Sequence, residues 1–412
     1  MKPIFVWLTL AALAAALSHV APAQVWTQWR GAKRDGVARD FIAPSVWPKE
    51  LTRRWKVEAG GGYSSPVVAG GRAYLHARRG DEEVVSAFDL KTGAILWSQS
   101  YPAPFAKNQY AVRMGKGPNS TPVLDGGRLY TLGVTAVLSA FDARTGALAW
   151  RKDFSKQIDT SKLFCGTAMS PVVERGALVV HVGDDRGGTV YAFEALSGAE
   201  RWKWAGDGPG YSSPVVVELA GERQVVTLTD KSIIGLAAGT GRLLWRMPFP
   251  DEWNENIVTP VLHGQTLIFS GVRKGTVGVE IVKGAGGLEA KQVWNNPQVS
   301  MYMSSPVLDG GHLYGMSATR KGQYFCLDAR TGKTVWATEG REGAQAAVVG
   351  AGGALLFLTA DGDLIVAGKS LKGFEPVARY KVADSATYAH PAVFGKQILV
   401  KDDSSLSLWS VE

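Results

Sequence analysis

One eleven-residue pattern recurs along this chain and limits its fold more than any other feature. Residues 87–97 read AFDLKTGAILW, 140–150 AFDARTGALAW, 192–202 AFEALSGAERW, 235–245 GLAAGTGRLLW and 326–336 CLDARTGKTVW. A second element, a small or polar residue followed by Pro and then Val, occurs at Pro66, Pro122, Pro171, Pro214, Pro260, Pro306 and Pro391, with Ala347 in the equivalent place of AQAAVV. Successive spacings are 56, 49, 43, 46, 46, 41 and 44 residues. Eight units of this length predict an all-β, eight-bladed β-propeller in which each unit is one four-stranded blade.

Each unit reads as four strands. The segment after the Pro is an inner strand, because Pro at its first position removes no ladder N–H. Asp125-Gly126-Gly127 and Asp309-Gly310-Gly311 mark hairpin turns. In the Asp-x-x-Thr-Gly turn the Asp and Thr side chains bond backbone N–H groups and the Gly supplies a positive φ. The outer strand ends in Trp, which fills the wedge where blades splay apart. The unit at Pro391 has only three strands before the chain stops at Glu412. Residues 51–57 read as its missing outer strand. Trp55 stands 11 residues before Pro66, as Trp336 does before Ala347. The expected domains are therefore a signal peptide (1–23), a lead segment (24–50) packed on the ring, and a propeller (51–412) closed by an N-terminal strand, which removes exposed sheet edges.

Composition agrees. Glycine is 49 of 412 residues, about 12%, against about 7% on average. Charged residues are only 20%, which excludes disorder and coiled coil. The net charge of +8 is spread along the chain, so nucleic acid is not an expected partner. Lys2, the apolar run 4–17 and Ala21-Pro22-Ala23 form a secretory signal with cleavage before Gln24. No cysteine lies near that site, so no lipid anchor is expected. No later segment reads as a transmembrane helix. The product is periplasmic or secreted, and a monomer. Cys165 and Cys326 fall three blades apart, too far for a disulfide.

The Asp-x-x-Thr-Gly-x-x-x-Trp pattern resembles the pyrroloquinoline quinone (PQQ) repeat of quinoprotein-like β-propellers, over residues 51–412. Gln28-Trp29-Arg30-Gly31 with Arg34-Asp35-Gly36 resembles the lead of exported bacterial PQQ-binding-like propeller proteins. The propeller lipoprotein of the outer-membrane β-barrel assembly machinery is similar at greater distance. The resemblance implies a quinoprotein alcohol dehydrogenase-like fold and leaves activity open. Dehydrogenases of the family hold PQQ under vicinal cysteines beside calcium. This chain has no Cys-Cys pair, and their calcium ligands have no counterpart that matches residue by residue. No cofactor and no metal are therefore expected, PQQ being the alternative.

No local catalytic motif appears. His76, His181, His263, His312 and His390 stand at least 49 residues apart, so they form no zinc pattern. Asp184-Asp185, Asp361 with Asp363, and Asp402-Asp403 fall in turns and read as solvated. Two connections are long. Trp97 to Pro122 takes 25 residues and Trp150 to Pro171 takes 21, against 11 to 15 elsewhere. They carry Lys107, Arg113, Lys116, Arg151, Lys152, Lys156 and Lys162, with Asp153 and Asp159 as the acids. They read either as a dock for an anionic ligand or acidic protein, or as solubilising charge on tolerated insertions. Tyr63, Asn119, Tyr211, Met303 and His390 flank the inner-strand prolines and are expected to ring the mouth of the central channel as a ligand site.

The reading that follows is an exported, non-enzymatic scaffold that binds an envelope protein or small ligand. A PQQ-dependent oxidoreductase is the alternative. A carbohydrate- or polymer-binding propeller shares the exposed aromatics.

Overall fold

In the computed structural model, which describes residues 25–111 and 115–412, eight antiparallel sheets follow one another in chain order around a central channel. The signal-peptide region lies outside the described residues. Blade 1 runs from its inner strand Val67–Ala69 through Arg72–Arg79 and Glu82–Asp89 to the outer strand Ile95–Pro102. Blades 2 to 7 repeat this order. In blade 8 the inner three strands are Ala392–Phe394, Gln397–Lys401 and Ser405–Ser410, and Thr52–Glu58 forms the outer strand with Trp55 opposite Leu408. The ring thus closes with a strand from residues 52–58 completing the sheet that holds the last three strands of the chain. Among the described residues no helix is long and apolar enough to cross a membrane.

The repeated residues join each blade to the next. Asp142 Oδ1 accepts the Arg144 and Thr145 N–H groups at 3.1 and 2.8 Å and the Thr145 hydroxyl at 2.8 Å. This turn places Gly146 at φ 76°, and a Cβ there would lie 2.6 Å from the Trp97 indole. Gly146 is therefore required both for its backbone and for the Trp that lies against it. Trp97, from the preceding blade, donates its indole N–H to the Ala143 carbonyl at 3.0 Å. The same stacking joins Trp55 to Gly93, Trp150 to Gly198, Trp202 to Gly241 and Trp294 to Gly332. Trp245 departs because the next blade lacks this turn; it donates to Gln224 Oε1 at 2.6 Å instead.

Residues 25–50 run across the face opposite the outer-to-inner loops. Trp26 pairs with Val68, Thr27 accepts from the Leu124 N–H, and Ile42 donates to the Gly395 carbonyl. Val37–Ala38 then adds a parallel fifth strand to the inner edge of blade 7, with Val37 opposite Gly350. The inner strand of blade 7, Ala346–Ala351, is six residues long where that of blade 1 is three. The Gly350 N–H donates to the Gly36 carbonyl at 2.9 Å, and the small Ala and Gly side chains leave the lead room.

Candidate functional site

The lead closes one end of the channel. Trp26 is 1% exposed and stacks at 6.3 Å on His390. Arg30 and Arg34 point inward and are buried. Arg34 donates to the carbonyls of Pro171 at 2.8 Å and Ser170 at 3.0 Å and to Gln28 Oε1 at 3.0 Å. Arg30 donates to the Pro306 and Asp35 carbonyls. Burial lowers the Arg30 pKa to about 10, against the pull of Asp35. Burial and the neighbouring Arg30 lower that of Arg34 to about 9. Both stay charged at neutral pH, held by backbone carbonyls at the starts of the inner strands.

At the other end, the mouth, a cavity of about 140 Å³ opens between the outer-to-inner loops. That is roughly ten times the volume one water needs, so it admits a ligand of several heavy atoms. Its wall holds six rings, from Trp29, Tyr63, Phe164, Tyr211, Tyr302 and Tyr388. The lead supplies Trp29, whose indole N–H donates to Thr259 Oγ1 at 2.9 Å. Tyr63 and Tyr388 pack at 4.8 Å. Tyr211 sits at φ 69°, a conformation rarely tolerated by a bulky side chain and found where surrounding contacts enforce it. Its hydroxyl accepts the Phe164 N–H at 2.7 Å.

One carboxylate, Glu255, lies in this wall and is 5% exposed. Tyr302 donates its phenol to Glu255 Oε2 at 2.5 Å. Burial raises the Glu255 pKa; the Tyr302 bond opposes this and the nearby Asp251 charge adds to it. Lys274 lies 3.7 Å from Asp251, the residue whose side chain accepts the Glu255 N–H. Burial, with the Glu255 charge, pushes the Cys165 thiol up to about 12, against the pull of Lys107. Cys165 is therefore held as the neutral thiol at pH 7, the form that is not the nucleophile.

Four of the five expected mouth residues, Tyr63, Asn119, Tyr211 and Met303, line this cavity. His390 does not. It is 4% exposed and lies beneath the lead, stacked on Trp26 and edge-on to Trp29 at 5.5 Å. Its inward direction matches its register beside Pro391, but the lead covers it. Burial and the Arg30 charge lower its pKa to about 3. Register missed Glu255, Tyr302, Tyr388 and Trp29. A Tyr-Met pair directly before Ser304-Ser305 was the available signal for Tyr302.

The two long loops meet over the mouth. Asn108 donates to the Ser161 carbonyl at 3.3 Å and Asn119 to the Cys165 carbonyl at 3.1 Å. Lys116, Lys156 and Lys162 are exposed and Lys107 is half-buried. Arg113 lies outside the described residues. Lys152 and Arg151 belong to the outer strand Leu148–Asp153, not to the loop. Their cationic ends cover rings, Lys152 over Phe193 at 4.7 Å and Arg151 over Tyr101 at 4.3 Å. Asp184 is not solvated either. It is 4% exposed, pairs with Arg186 and accepts the Asp159 N–H at 2.9 Å.

A second set of interacting titratable side chains, none of which lines the cavity, lies in blade 1. Tyr101 donates to Glu83 Oε2 at 2.6 Å and lies 3.1 Å from His76 Nε2, while Glu83 Oε1 accepts the Val134 N–H at 2.7 Å. The Glu83 and His76 side chains are fully buried, so this set ties blade 1 to blade 2. Among the described residues no group of three or more His, Cys, Asp or Glu is placed to hold a metal ion.

Comparison with known proteins assigns the architecture. Residues 52–114, 81–338 and 315–373 match the family described as outer membrane protein assembly factor BamB. The chain belongs to this family. BamB of Shewanella oneidensis is 24% identical over 227 residues, 52% of this chain and 55% of the relative. The chain spans about half the length of the curated BamB relatives it matches. Among solved structures, a quinohemoprotein alcohol dehydrogenase from Comamonas testosteroni superposes with TM-score 0.68 at 14% identity, covering 94% of this chain and 80% of that one. BamB from Moraxella catarrhalis gives 0.60 at 16% identity, covering 87% and 99%. The propeller is thus a PQQ-repeat propeller related to BamB, and the structural likeness speaks to fold alone.

Proposed function

We propose that this chain is a non-enzymatic scaffold of the cell envelope that engages a protein partner through its mouth face. The observation that supports this most is the family match, set beside a mouth whose described residues offer no nucleophile–base pair. Glu255 is bonded to a phenol and Cys165 is a neutral thiol. Lys116, Lys156 and Lys162, exposed on the two long loops, suit an acidic partner surface. Placing a photo-cross-linker at Lys116 or Lys162, with Lys91 on the opposite face as reference, tests the reading in envelope extract. A discrete product from the mouth face is expected, lost at high salt and on changing the two of Lys116, Lys156 and Lys162 that do not carry the cross-linker to Glu. Identical patterns from Lys91 and the mouth positions would overturn it.

The alternative, a PQQ-dependent oxidoreductase, draws on the superposition with a quinohemoprotein dehydrogenase. The residues present do not fit that group. PQQ is a planar tricarboxylate, and the described cavity wall contributes a buried carboxylate and no Lys or Arg. Cys165 and Cys326 are separate free thiols, so no vicinal pair covers the quinone. Added PQQ and calcium should give no substrate-dependent dye reduction; turnover on alcohols or aldoses would favour the alternative.

A further inference from the structure

The same mismatch points to a different ligand class. Six half-buried rings face one cavity, and a carboxylate that is 5% exposed stands among them. The carboxylate accepts from the Tyr302 phenol, the Glu255 N–H donates to Asp251, and Glu255 forms no ion pair among the described residues. A buried carboxylate without a countercharge is costly. The faces of Tyr and Trp rings carry negative potential and attract cations, most strongly when the cation is desolvated. Rings and carboxylate therefore favour the same charge from several directions. The wall is also set in advance. Phe164 and Gly115 N–H groups hold the hydroxyls of Tyr211 and Tyr63 at 2.7 and 3.3 Å. Thr259 holds Trp29 at 2.9 Å. The Tyr211 backbone is kept at φ 69°.

We infer that the mouth cavity is a binding site for an organic ammonium or guanidinium cation, with Glu255 as counterion and Trp29, Tyr63, Tyr211, Tyr302 and Tyr388 as its aromatic cage. The rim lysines do not contradict this. Lys116 and Lys162 are exposed, where salt screens their field within about 8 Å, whereas Glu255 is buried at the cavity wall. The site rests on the cavity alone and stands whether or not the lysine loops dock a partner. The cation can belong to a free small molecule or to a Lys or Arg side chain presented by a protein.

The test titrates the mature protein with choline and with its neutral isostere, in which carbon replaces the quaternary nitrogen, following Trp fluorescence and heat. Choline is expected to bind at least about tenfold tighter than the isostere. Glu255→Gln, checked for an intact melt, should erase most of that preference. Capped lysine and arginine amides form the second arm. Tighter binding of these than of choline assigns the cation to a protein side chain; tighter binding of choline assigns it to a small molecule. Equal binding of choline, the capped amides and the neutral isostere by the wild-type protein overturns the site, as does a preference that Glu255→Gln leaves intact. Should Glu255→Gln fail to fold, the wild-type comparison of charged and neutral ligands decides alone.

Discussion

The two ends of the central channel are built on opposite principles. At the lead end, buried cations are met by carbonyls: Arg34 reaches Pro171 and Ser170, and Arg30 reaches Pro306. Trp26 and His390 seal the space between them and the inner strands. At the mouth, rings remain half exposed around a buried acid that forms no ion pair among the described residues, and one Tyr holds an uncommon backbone angle. The first arrangement buries its cations on backbone carbonyls beneath packed rings, although Arg30 Nε and Nη1, Arg34 Nε and both His390 ring nitrogens have no partner among the described residues, so its stability comes from the buried rings and not from polar satisfaction. The second leaves attraction unsatisfied, which is what a binding site must do before its ligand arrives. The scaffold thus separates the two tasks by some length of channel, with Trp29 of the lead as the link.

The largest expected effect breaks the sealed end. Trp26→Ala empties a site that is 1% exposed and should cost about 3–5 kcal/mol, read as a large fall in the denaturant midpoint. Trp29→Leu, nearer the mouth, should cost clearly less. Equal losses at the two positions would remove the distinction.

A middle-sized effect concerns acid. His181 and His390 are buried, and desolvation lowers their pKa to about 4 and about 3 from 6.5. Between those values the unfolded chain binds more protons than the folded one, so stability falls as pH drops below about 6.5. By roughly pH 4.5 each should account for about 2–3 kcal/mol. His390→Leu should flatten part of that acid limb without altering choline binding, since His390 lies outside the cavity wall. An unchanged pH profile would mean that the lead end opens freely to water.

The smallest effect lies at the mouth. Glu255 has its pKa raised by burial, so its charge opposes folding increasingly as pH rises above its unfolded value. Glu255→Gln should therefore raise the melting temperature slightly at neutral pH, and the gain should shrink in acid. A lower melting temperature would show that the carboxylate has a stabilising partner.

Legibility followed periodicity. The Trp, which the structure places third in outer strands such as Ile95–Pro102 and not at their end, and the Gly of the next turn meet in space because both recur at fixed register, as in Trp97 and Gly146. The inner-strand Pro placed Tyr63, Asn119, Tyr211 and Met303 at the cavity for the same reason. Lys152 was misplaced because a strand end and a loop start look alike in sequence, and its ring contact with Phe193 reaches across to the next blade. Glu255 carried no signal, being one acid in an irregular loop.

By itself, the sequence determined the blade number, the closure of blade 8 by residues 51–57 and the ring of positions facing the channel. These follow from local turn chemistry and a repeat that each unit obeys independently. Only the tertiary structure decided what the lead does. Trp29 bonds Thr259, 230 positions away, and Arg30 bonds Pro306, 276 positions away. Such contacts have no period, because they depend on where the closed ring leaves its inner-strand carbonyls pointing.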